Sequence, residues 1–489
     1  MTSLSETSLL AGSSGVTSGY TIDQSIRFHN DDSPSLDKTY SGAGSRTTQT
    51  FSIWFKLGDP DGMGSGMPFF NGGAGTSDTT WTGFSWYDGK IYIQGYNTNW
   101  RISTAQYRDP SAWYHFVYNW DTTNGIDDER VRAYVNGERV TSFSTYNNPG
   151  ASASSGIGQA AKHSIGYQSR TVGFGYADAY YAEIHYLDGY AYGPEYFGEF
   201  KEGTDIWIPK EYEGSYGTNG FFIDGRDSGD LGDDESGQGN DFSATNLAAH
   251  DQVADTPTNN FCTINPLYRG SHATAADYGV AGDGNLELRF SGASNGGTLC
   301  TQLMTSGKWY WEVRMEAGGG SSSYFNGTGI AAVNNGYTKA DSNHDGSATG
   351  EIGFNSYNGQ VQFSNTTTKT YSEVPLADGD IIGVAVDVDN GAIYYSKNGT
   401  FMGSGNPASG ASKTNAGATW TPATYSGGWV PTIAVMGGSV PIMTMNFGQE
   451  GTFSGTVSAG GNSDGNGIGN FKYSVPSGYL ALCTSNLGS

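Results

Sequence analysis

The sequence is poor in cysteine, in basic residues and in long apolar stretches. Cys262, Cys300 and Cys483 are odd in number and lack metal-ligand spacing, so they predict neither a disulfide framework nor a metal site. Lysine and arginine total 24 against 48 acidic residues, a formal charge of −24 that argues against nucleic-acid partners. No apolar run is long enough for a membrane-spanning helix, so membrane insertion is not expected.

The start of the chain lacks the basic region and the long apolar core of a signal peptide. We therefore expect synthesis in a reducing cytoplasm, where cysteines stay unpaired. Residues 1–19 are rich in serine, threonine and glycine. This composition predicts an extended arm rather than a folded unit.

Glycine and aromatic residues are abundant instead. The chain has 75 glycines and 32 tyrosines, and 13% of its residues are aromatic. A disordered chain would be poor in aromatics, so a folded protein with many tight turns is indicated. Short segments alternate apolar and polar side chains, as in FSIWFKL (51–57), and no long segment keeps a helical period. Together these features predict an all-β protein.

Two regions of the chain repeat one order of segments. Each has a hairpin, then an apolar strand, then a second hairpin that turns on Asn-Gly, which is the strongest short hairpin signal. The predicted first turns are Asp88-Gly89 and Asn358-Gly359, and the predicted second turns are Asn136-Gly137 and Asn398-Gly399. The repeated order predicts two antiparallel β-sandwich domains of the concanavalin-like, jelly-roll type.

Composition also predicts the domain boundaries. The first sandwich covers residues 20–200, and the second covers 283–489 and includes a C-terminal tail. Residues 201–282 read as an acidic, turn-rich connector that partly completes the first domain. Within it, residues 201–270 carry 4 basic and 13 acidic side chains, the most acidic part of the chain.

Both regions resemble known families of binding domains. The segments WYHFVYNWDTT (113–123) and VRAYVNGERV (131–140) resemble a laminin-G-like, concanavalin-type module over residues 20–200. The segments GKWYWEVRM (307–315), GDIIGVAVDVDNGAIYYSKNGTF (379–401) and NFGQ (446–449) resemble a SPRY domain over residues 283–450. Both families are curved β-sandwiches that bind partners, so the resemblance implies recognition rather than catalysis.

A third resemblance covers most of the chain. Residues 20–57, 216–224, 255–266 and 446–487 are similar to segments that recur in structural proteins of tailed phages. This resemblance implies a virion protein without enzymatic activity, most simply a tail-fibre or appendage subunit that binds host surface glycan or protein. It would be made in the host cytoplasm, attach to other virion proteins through residues 1–20, and form a homo-oligomer such as a trimer. A capsid-decorating or purely structural virion protein is the alternative, and a glycan depolymerase is a third reading.

Patterns that would support catalysis are incomplete. Glycoside hydrolases on such sandwiches place carboxylates on one strand, but Glu312 and Glu316 have an arginine between them, which predicts a solvent-facing charged strand. His185, flanked by Tyr181 and Tyr186, could belong to a lyase-type pair, but the supporting motifs are missing. We therefore predict an ordinary histidine on a sheet face.

Loops that combine aromatic residues with amides and arginine are the better functional candidates. Exposed rings stack on sugar faces, and neighbouring polar groups bond to hydroxyls; the same composition serves protein interfaces. The candidate ligand-binding residues are Tyr96, Trp100, Arg101, Tyr167, Arg170, Phe174, Tyr176, Tyr324 and Phe325.

The connector offers one weak metal hypothesis, and no other cofactor is predicted. Calcium prefers oxygen ligands on glycine-rich loops, but the spacing here is not that of an EF-hand, and a solvated acidic loop is the alternative. The candidate ligands are Asp224, Asp227, Asp230, Asp233 and Asp234.

Overall fold

The computed structural model forms two compact units, Val16–Asn259 and Asn260–Ser489. It describes residues 19–58, 66–74, 76–168, 175–268, 280–289, 296–317, 325–333, 346–436 and 442–487. Nearly all regular structure in these residues is antiparallel β-sheet, which confirms the predicted fold class. The boundary between the units falls inside the predicted connector, so residues 201–259 belong to the first unit and 260–282 to the second.

Where the structure describes the first unit, it consists of eighteen strands and four short 3₁₀ helices. The helices are Asn30–Asp32, Asp127–Glu129, Pro194–Tyr196 and Ala249–Asp251. The strands are β1 (Ser25–Phe28), β2 (Ser35–Thr39), β3 (Thr48–Leu57), β4 (Met67–Gly72), β5 (Thr82–Tyr87), β6 (Lys90–Gly95), β7 (Asn99–Ser103), β8 (Trp113–Asp121), β9 (Val131–Val135), β10 (Glu138–Arg139), β11 (Phe143–Tyr146), β12 (Lys162–Ile165), β13 (Ala179–Asp188), β14 (Gly198–Phe200), β15 (Trp207–Pro209), β16 (Phe221–Ile223), β17 (Ser243–Thr245) and β18 (Gln252–Val253).

Two sheets of this unit enclose an aromatic core. One sheet has the order β10-β9-β8-β3-β13-β1-β18, with β16 beside β13, and the other has the order β11-β7-β6-β5-β4-β12-β2-β17. Strand β3 shows why the sheets pack, because Phe51 and Phe55 lie in the core while Ser52, Trp54 and Lys56 lie on the outer face. A separate β14–β15 hairpin follows the main strands.

The described residues of the second unit form fifteen strands, three short 3₁₀ helices and one α-helix. The helices are the 3₁₀ segments Met402–Ser404, Pro407–Ser412 and Pro422–Tyr425, and α1 (Thr484–Leu487). The strands are β19 (Val280–Gly282), β20 (Glu287–Arg289), β21 (Gly296–Leu299), β22 (Lys308–Ala317), β23 (Phe325–Ala332), β24 (Glu351–Asn355), β25 (Gln360–Phe363), β26 (Thr366–Thr370), β27 (Ile381–Asp387), β28 (Ala392–Lys397), β29 (Thr400–Phe401), β30 (Ala418–Thr419), β31 (Trp429–Met436), β32 (Ile442–Asn446) and β33 (Leu480–Ala481).

The sheets of the second unit repeat the strand order of the first. One has the order β19-β20-β32-β22-β27-β28-β29 and the other the order β21-β31-β23-β24-β25-β26. The strands β20 to β29 therefore take the places of β1 to β10, and β31 and β32 take the places of β12 and β13, in the same chain order. The two predicted sandwiches thus share one topology.

All four predicted hairpins form, and three of them close on a two-residue turn. Positive φ angles at both central residues, as a type I′ turn requires, occur at Asp88-Gly89 (48° and 79°), Asn136-Gly137 (49° and 80°) and Asn398-Gly399 (50° and 82°). The predicted hairpin at Asn358-Gly359 also forms, between β24 and β25, but its loop is wider. Four residues separate β24 from β25 because the Asn355 side chain accepts the N–H groups of Tyr357 and Asn358 and holds a wider loop.

Candidate recognition surface

A buried arginine lies under an exposed tyrosine at one edge of the first unit. Arg101 is on β7, which pairs with the terminal strand β11, and it is only 1% exposed. Its guanidinium donates to the carbonyl of Val131 (3.2 Å) and to Oδ1 of Asn148 (2.7 Å). The ring of Tyr146 lies over it, with 3.8 Å between the ring centroid and Cζ. The arginine therefore supports the tyrosine from within the fold.

The orientation of Tyr146 is fixed at both ends. One side of the ring faces the guanidinium, and the hydroxyl is hydrogen-bonded to the carboxylate of Asp128. Asn148 joins Arg101 to Asp128, because its Nδ2 donates to Asp128 (2.8 Å) while its Oδ1 accepts from Arg101. Hydrogen bonds from Asn148 and then from Tyr146 lower the pKa of Asp128. We call this arrangement of Arg101, Asp128, Tyr146 and Asn148 the Tyr146 platform.

Exposed amides border the Tyr146 platform. Asn147 is exposed and donates to the carbonyl of Asn99 (2.8 Å), and Gln94 donates to the side chain of Asn99 (3.0 Å). A side-chain amide has two donors and two acceptor lone pairs, so the exposed Asn147 keeps groups for a ligand, whereas the carbonyl oxygen of the half-buried Gln94 is covered. A ring that is 45% exposed beside such amides can stack on the apolar face of a sugar while the amides bond to its hydroxyls.

Of the first predicted aromatic loop, which contains Tyr96, Trp100 and Arg101, only Arg101 belongs to the Tyr146 platform. Trp100 points towards the core and packs edge-on against Trp120, with 5.9 Å between ring centroids. Tyr96 is half-buried in the loop between β6 and β7. The sequence analysis missed Tyr146, although its segment FSTYNN has the aromatic and amide composition of the predicted loops.

The other predicted aromatic residues do not extend the platform. Tyr167 and Tyr176 are half-buried and stack on each other, with 4.5 Å between ring centroids and 22° between ring planes. An isolated β-bridge also joins their backbones, so the two rings pack against each other. Arg170, Phe174, Tyr324 and the side chain of Phe325 lie outside the described residues.

The connector aspartates are used in turns. Asp224, Asp227 and Asp230 each accept the backbone N–H two residues further along the chain. Asp234 accepts three backbone N–H groups, at 2.8–2.9 Å. Within the described ranges, no group of three or more histidine, cysteine, aspartate or glutamate side chains is arranged to hold a metal ion. The structure therefore does not bring these residues and Asp233 together as a calcium site.

His185 lies on the outer face of β13 in a hydrogen-bonded cluster. Its Nδ1 is 3.1 Å from the Tyr216 hydroxyl, and its Nε2 is 3.4 Å from the Glu183 carboxylate. Glu183 sits at a bulge of β13 with a φ of 49°. The sequence neighbours Tyr181 and Tyr186 lie on the other face, in the core. His185 is 3% exposed, so this cluster is closed to a polymer substrate.

A second histidine forms a pair with a serine that is not activated for catalysis. His115 Nε2 is 2.8 Å from the Ser52 hydroxyl, and the Trp207 indole donates to His115 Nδ1 (2.9 Å). Because Nδ1 accepts, the proton of the neutral ring is on Nε2, which donates to Ser52. Burial, aided by the charge of His185, lowers the pKa of His115 to about 3. The ring cannot accept the serine proton, so this pair does not make a nucleophile.

The carboxylate pattern on β22 includes one buried glutamate. Glu312 is buried, so the prediction of a solvent-facing strand is wrong for this residue. Its carboxylate accepts the backbone N–H groups of Lys472 (2.9 Å) and Tyr473 (2.8 Å) and the Tyr310 hydroxyl (3.2 Å). Burial raises the pKa of Glu312 to about 7, although these hydrogen bonds oppose the rise. Glu312 thus anchors the C-terminal segment on the sheet.

One family model matches part of the chain. Residues 308–450 match the SPRY domain, and the matched segment begins with β22 and lies within the second unit. This match confirms the SPRY resemblance found in the sequence. The second unit therefore contains a sandwich of a kind used for binding. No curated protein matches the chain significantly.

Several solved structures are similar to parts of the chain. The SPRY domain of human HERC1 has 14% identity and a TM-score of 0.26, covering 37% of this chain and 96% of its own. Domains LG4-5 of the mouse laminin alpha1 chain have 10% identity and a TM-score of 0.28, covering 88% and 85%. A heptameric SAP-like pentraxin from Limulus polyphemus has 16% identity and a TM-score of 0.25, covering 35% and 78%. Identities and scores this low identify no ligand.

Proposed function

We propose that the chain is a non-enzymatic recognition protein of a tailed-phage virion, a tail-fibre or appendage subunit that binds host surface glycan through the Tyr146 platform. The observation that carries the proposal is the exposed Tyr146 ring lying on the buried guanidinium of Arg101. The ring rests on a buried side chain, and a preorganised ring loses little entropy when a ligand stacks on it.

The chemistry of the platform favours a polyhydroxylated ligand. A sugar offers C–H groups on one face of the ring and hydroxyls around its edge, which match an aromatic surface bordered by amides. Asp128 lies at the border and accepts from Tyr146, so a hydroxyl donor suits this position better than a second carboxylate. A neutral glycan therefore fits better than an acidic one.

The buried acid–base groups support the absence of catalysis. His115, His185 and Glu312 are buried, and each is hydrogen-bonded to other parts of the fold. General acid–base catalysis needs a group that reaches the substrate. We therefore assign these three side chains to stability rather than to turnover.

The virion part of the proposal rests on the sequence segments that resemble tailed-phage structural proteins. Attachment through residues 1–20 and assembly into a homo-oligomer such as a trimer follow from the appendage role. In the described part of the chain, no helix has the length and apolarity needed to span a membrane. The SPRY-matching unit would supply a second binding sandwich in the same subunit.

Antibody labelling of intact virions under the electron microscope tests the virion role. We expect label on tail appendages. Label spread over the capsid would show that the protein decorates the capsid and is not part of an appendage. Virions without label would overturn the virion role.

Incubation of the purified chain with host surface polysaccharide tests recognition. We expect reversible binding without release of reducing ends or of unsaturated products. Absence of binding to the polysaccharide or to host cells would contradict recognition, and product release would establish a depolymerase instead.

A further inference from the structure

The first unit buries a lysine and an aspartate in direct contact. Lys56 lies on the outer face of β3, and Asp255 lies in the segment that follows β18. Nζ of Lys56 is 2.7 Å from Oδ2 of Asp255, and both side chains have no exposed surface. A buried pair of this kind brings an amine and a carboxyl group together where water does not reach.

The surroundings fix the orientation of the carboxyl group. The indole Nε1 of Trp113 donates to Oδ1 of Asp255 (3.0 Å), the oxygen that does not face the lysine. The Ser25 hydroxyl donates to the backbone carbonyl of Asp255 (2.6 Å). The Tyr180 ring lies beside Lys56, with 5.7 Å between Nζ and the ring centroid. The pair is therefore enclosed by aromatic side chains and held from both ends.

A second buried carboxylate shares this face of the sheet. Tyr180 pairs with Lys56 and Ala179 with Leu57, which places Asp178 opposite Gly58 and diagonal to Lys56. The neighbours of Asp178 on either side, Ala177 and Ala179, lie in the core, so Asp178 is on the outer face with Lys56. Diagonal partners across two strands are within reach of a long side chain. This carboxylate can hold a proton during a transfer at the pair.

Burial changes the chemistry of a lysine–aspartate pair. Removing both groups from water is costly, which raises the free energy of the separate amine and carboxyl group relative to an amide. Nζ of Lys56 lies 2.7 Å from Oδ2 and is thereby held next to the carboxyl carbon, and the Trp113 indole, which donates to Oδ1, can stabilise the negative charge that develops on this oxygen. Exclusion of water then favours the condensed product over hydrolysis.

We propose that Lys56 and Asp255 condense to an intramolecular amide. The bond from Nζ to Cγ forms, and the bond from Cγ to Oδ2 breaks. Two protons of the ammonium group leave with Oδ2, so an ammonium and a carboxylate give one amide and one water. No oxidant, reductant or other reactant is required.

This bond would tie the closing segment of the first unit to its central strand. Strand β3 pairs with both β8 and β13, and Asp255 lies close to the end of the unit at Asn259. A cross-link between them prevents the segment from detaching even when the sandwich is partly unfolded. It would give mechanical strength whether or not the chain serves as a virion appendage.

Mass spectrometry of the denatured, full-length chain tests the proposal. We expect the intact mass to be lower than the sequence mass by one water, with a branched peptide that joins residues 56 and 255 after digestion. Lys56→Arg keeps the charge but cannot form this amide, and its mass should show no loss. Asp255→Asn should lose one ammonia instead, because the same attack expels the amide nitrogen.

Two controls keep the result decisive. The exposed pair Lys162 and Asp37, at 3.1 Å, should be unmodified in the same digest. Trp113→Phe removes the indole donor and should slow the appearance of the cross-link after refolding by about tenfold or more. A folded wild-type chain with the full sequence mass and separate 56 and 255 peptides would overturn the proposal and leave an ordinary buried ion pair.

Discussion

The two units share one strand order, and their equivalent Asn-Gly hairpins make the same side-chain hydrogen bond. In the first, Asn136 Oδ1 accepts the backbone N–H of His115 on the neighbouring strand at 2.8 Å. In the second, Asn398 Oδ1 accepts the backbone N–H of Ile381 at 2.9 Å, on the strand that takes the same place. Both asparagines also have φ near +50°. The Asn-Gly turns are therefore equivalent parts of the framework rather than binding sites.

The units differ in how their equivalent central strands hold the segment that follows the sandwich. On β3, Lys56 contacts the carboxylate of Asp255. On β22, Glu312 contacts the backbone N–H groups of Lys472 and Tyr473. The equivalent central strands thus anchor their closing segments differently, through a charged side chain in one unit and through neutral backbone donors in the other.

This difference determines how the anchor of the second unit responds to pH. Neutral donors offset only part of the cost of burying the Glu312 carboxylate, which is why its pKa rises to about 7. The second unit therefore has a group that titrates near neutral pH. Variants that change each anchor in turn can test this contrast between the two units.

The largest effect is expected at the lysine anchor. Lys56→Met leaves the buried Asp255 carboxylate without its partner, which should destabilise the first unit by about 3–5 kcal/mol from the uncompensated charge alone. Hydrogen–deuterium exchange of peptides from β3 measures the change in this unit separately. Peptides from β22 should exchange as in the wild type.

The double variant Lys56→Met/Asp255→Leu is the matched control for the lysine anchor. Removing both charges should recover most of the loss that the uncompensated carboxylate causes. If the single variant were as stable as the wild type, the buried pair would not anchor the segment.

The second prediction concerns pH. The folded-state pKa of Glu312 is about 7 against an ordinary 4.5, so between these values the folded chain holds a proton that the unfolded chain has lost. Stability of the second unit should therefore fall as the pH rises through this window, by a total on the order of 3 kcal/mol. Glu312→Gln should remove this dependence, as measured by denaturant unfolding at about pH 5 and about pH 8.

Glu373→Gln serves as the control for the pH experiment. Glu373 is exposed, and a hydrogen bond from the Gly403 N–H lowers its pKa, so it stays ionised throughout the window. Its replacement should leave the slope unchanged. A wild-type unit whose stability is flat over this range would show that Glu312 is not the titrating anchor.

The smallest effects are expected at the two Asn-Gly turns. Asn136→Ala and Asn398→Ala each place an alanine in the left-handed region and remove one hydrogen bond, so each should cost about 1–2 kcal/mol. Urea unfolding of the two variants compares the turns. Similar losses would support the equivalence of the hairpins.

Glycine variants separate the two causes at these turns. Asn136→Gly and Asn398→Gly tolerate the positive φ and lose only the side-chain hydrogen bond, so they should be less destabilising than the alanine variants. A loss at one turn with no effect at the other would break the equivalence of the two scaffolds.

Much of this fold could be predicted from local sequence patterns. Alternation located strands such as β3 and β8, and the Asn-Gly pairs located two equivalent turns, because both signals depend on neighbouring residues alone. The wider loop of the hairpin at Asn358-Gly359 has a local cause that pairing rules do not include. The Asn355 side chain accepts two backbone N–H groups of the loop and holds it in a wider form.

The site was harder to predict because it depends on contacts between distant segments. Composition marked Trp100 and Arg101 as one exposed loop, but Trp100 packs against the core and Arg101 is buried beneath the exposed Tyr146 ring. The pairing of β7 with β11 brings Tyr146 over Arg101, and no single segment contains that register. For the same reason, no local sequence pattern indicated that Lys56 contacts Asp255.

Titration calorimetry with host glycan fragments tests the recognition role of Tyr146 most directly. Tyr196 is a matched control, because it is 42% exposed and also stacks on another side chain, Tyr192, at 4.3 Å. The account predicts that Tyr146→Ala weakens binding by about tenfold or more while Tyr196→Ala binds as the wild type does. Wild-type affinity in Tyr146→Ala, with the fold intact, would contradict it.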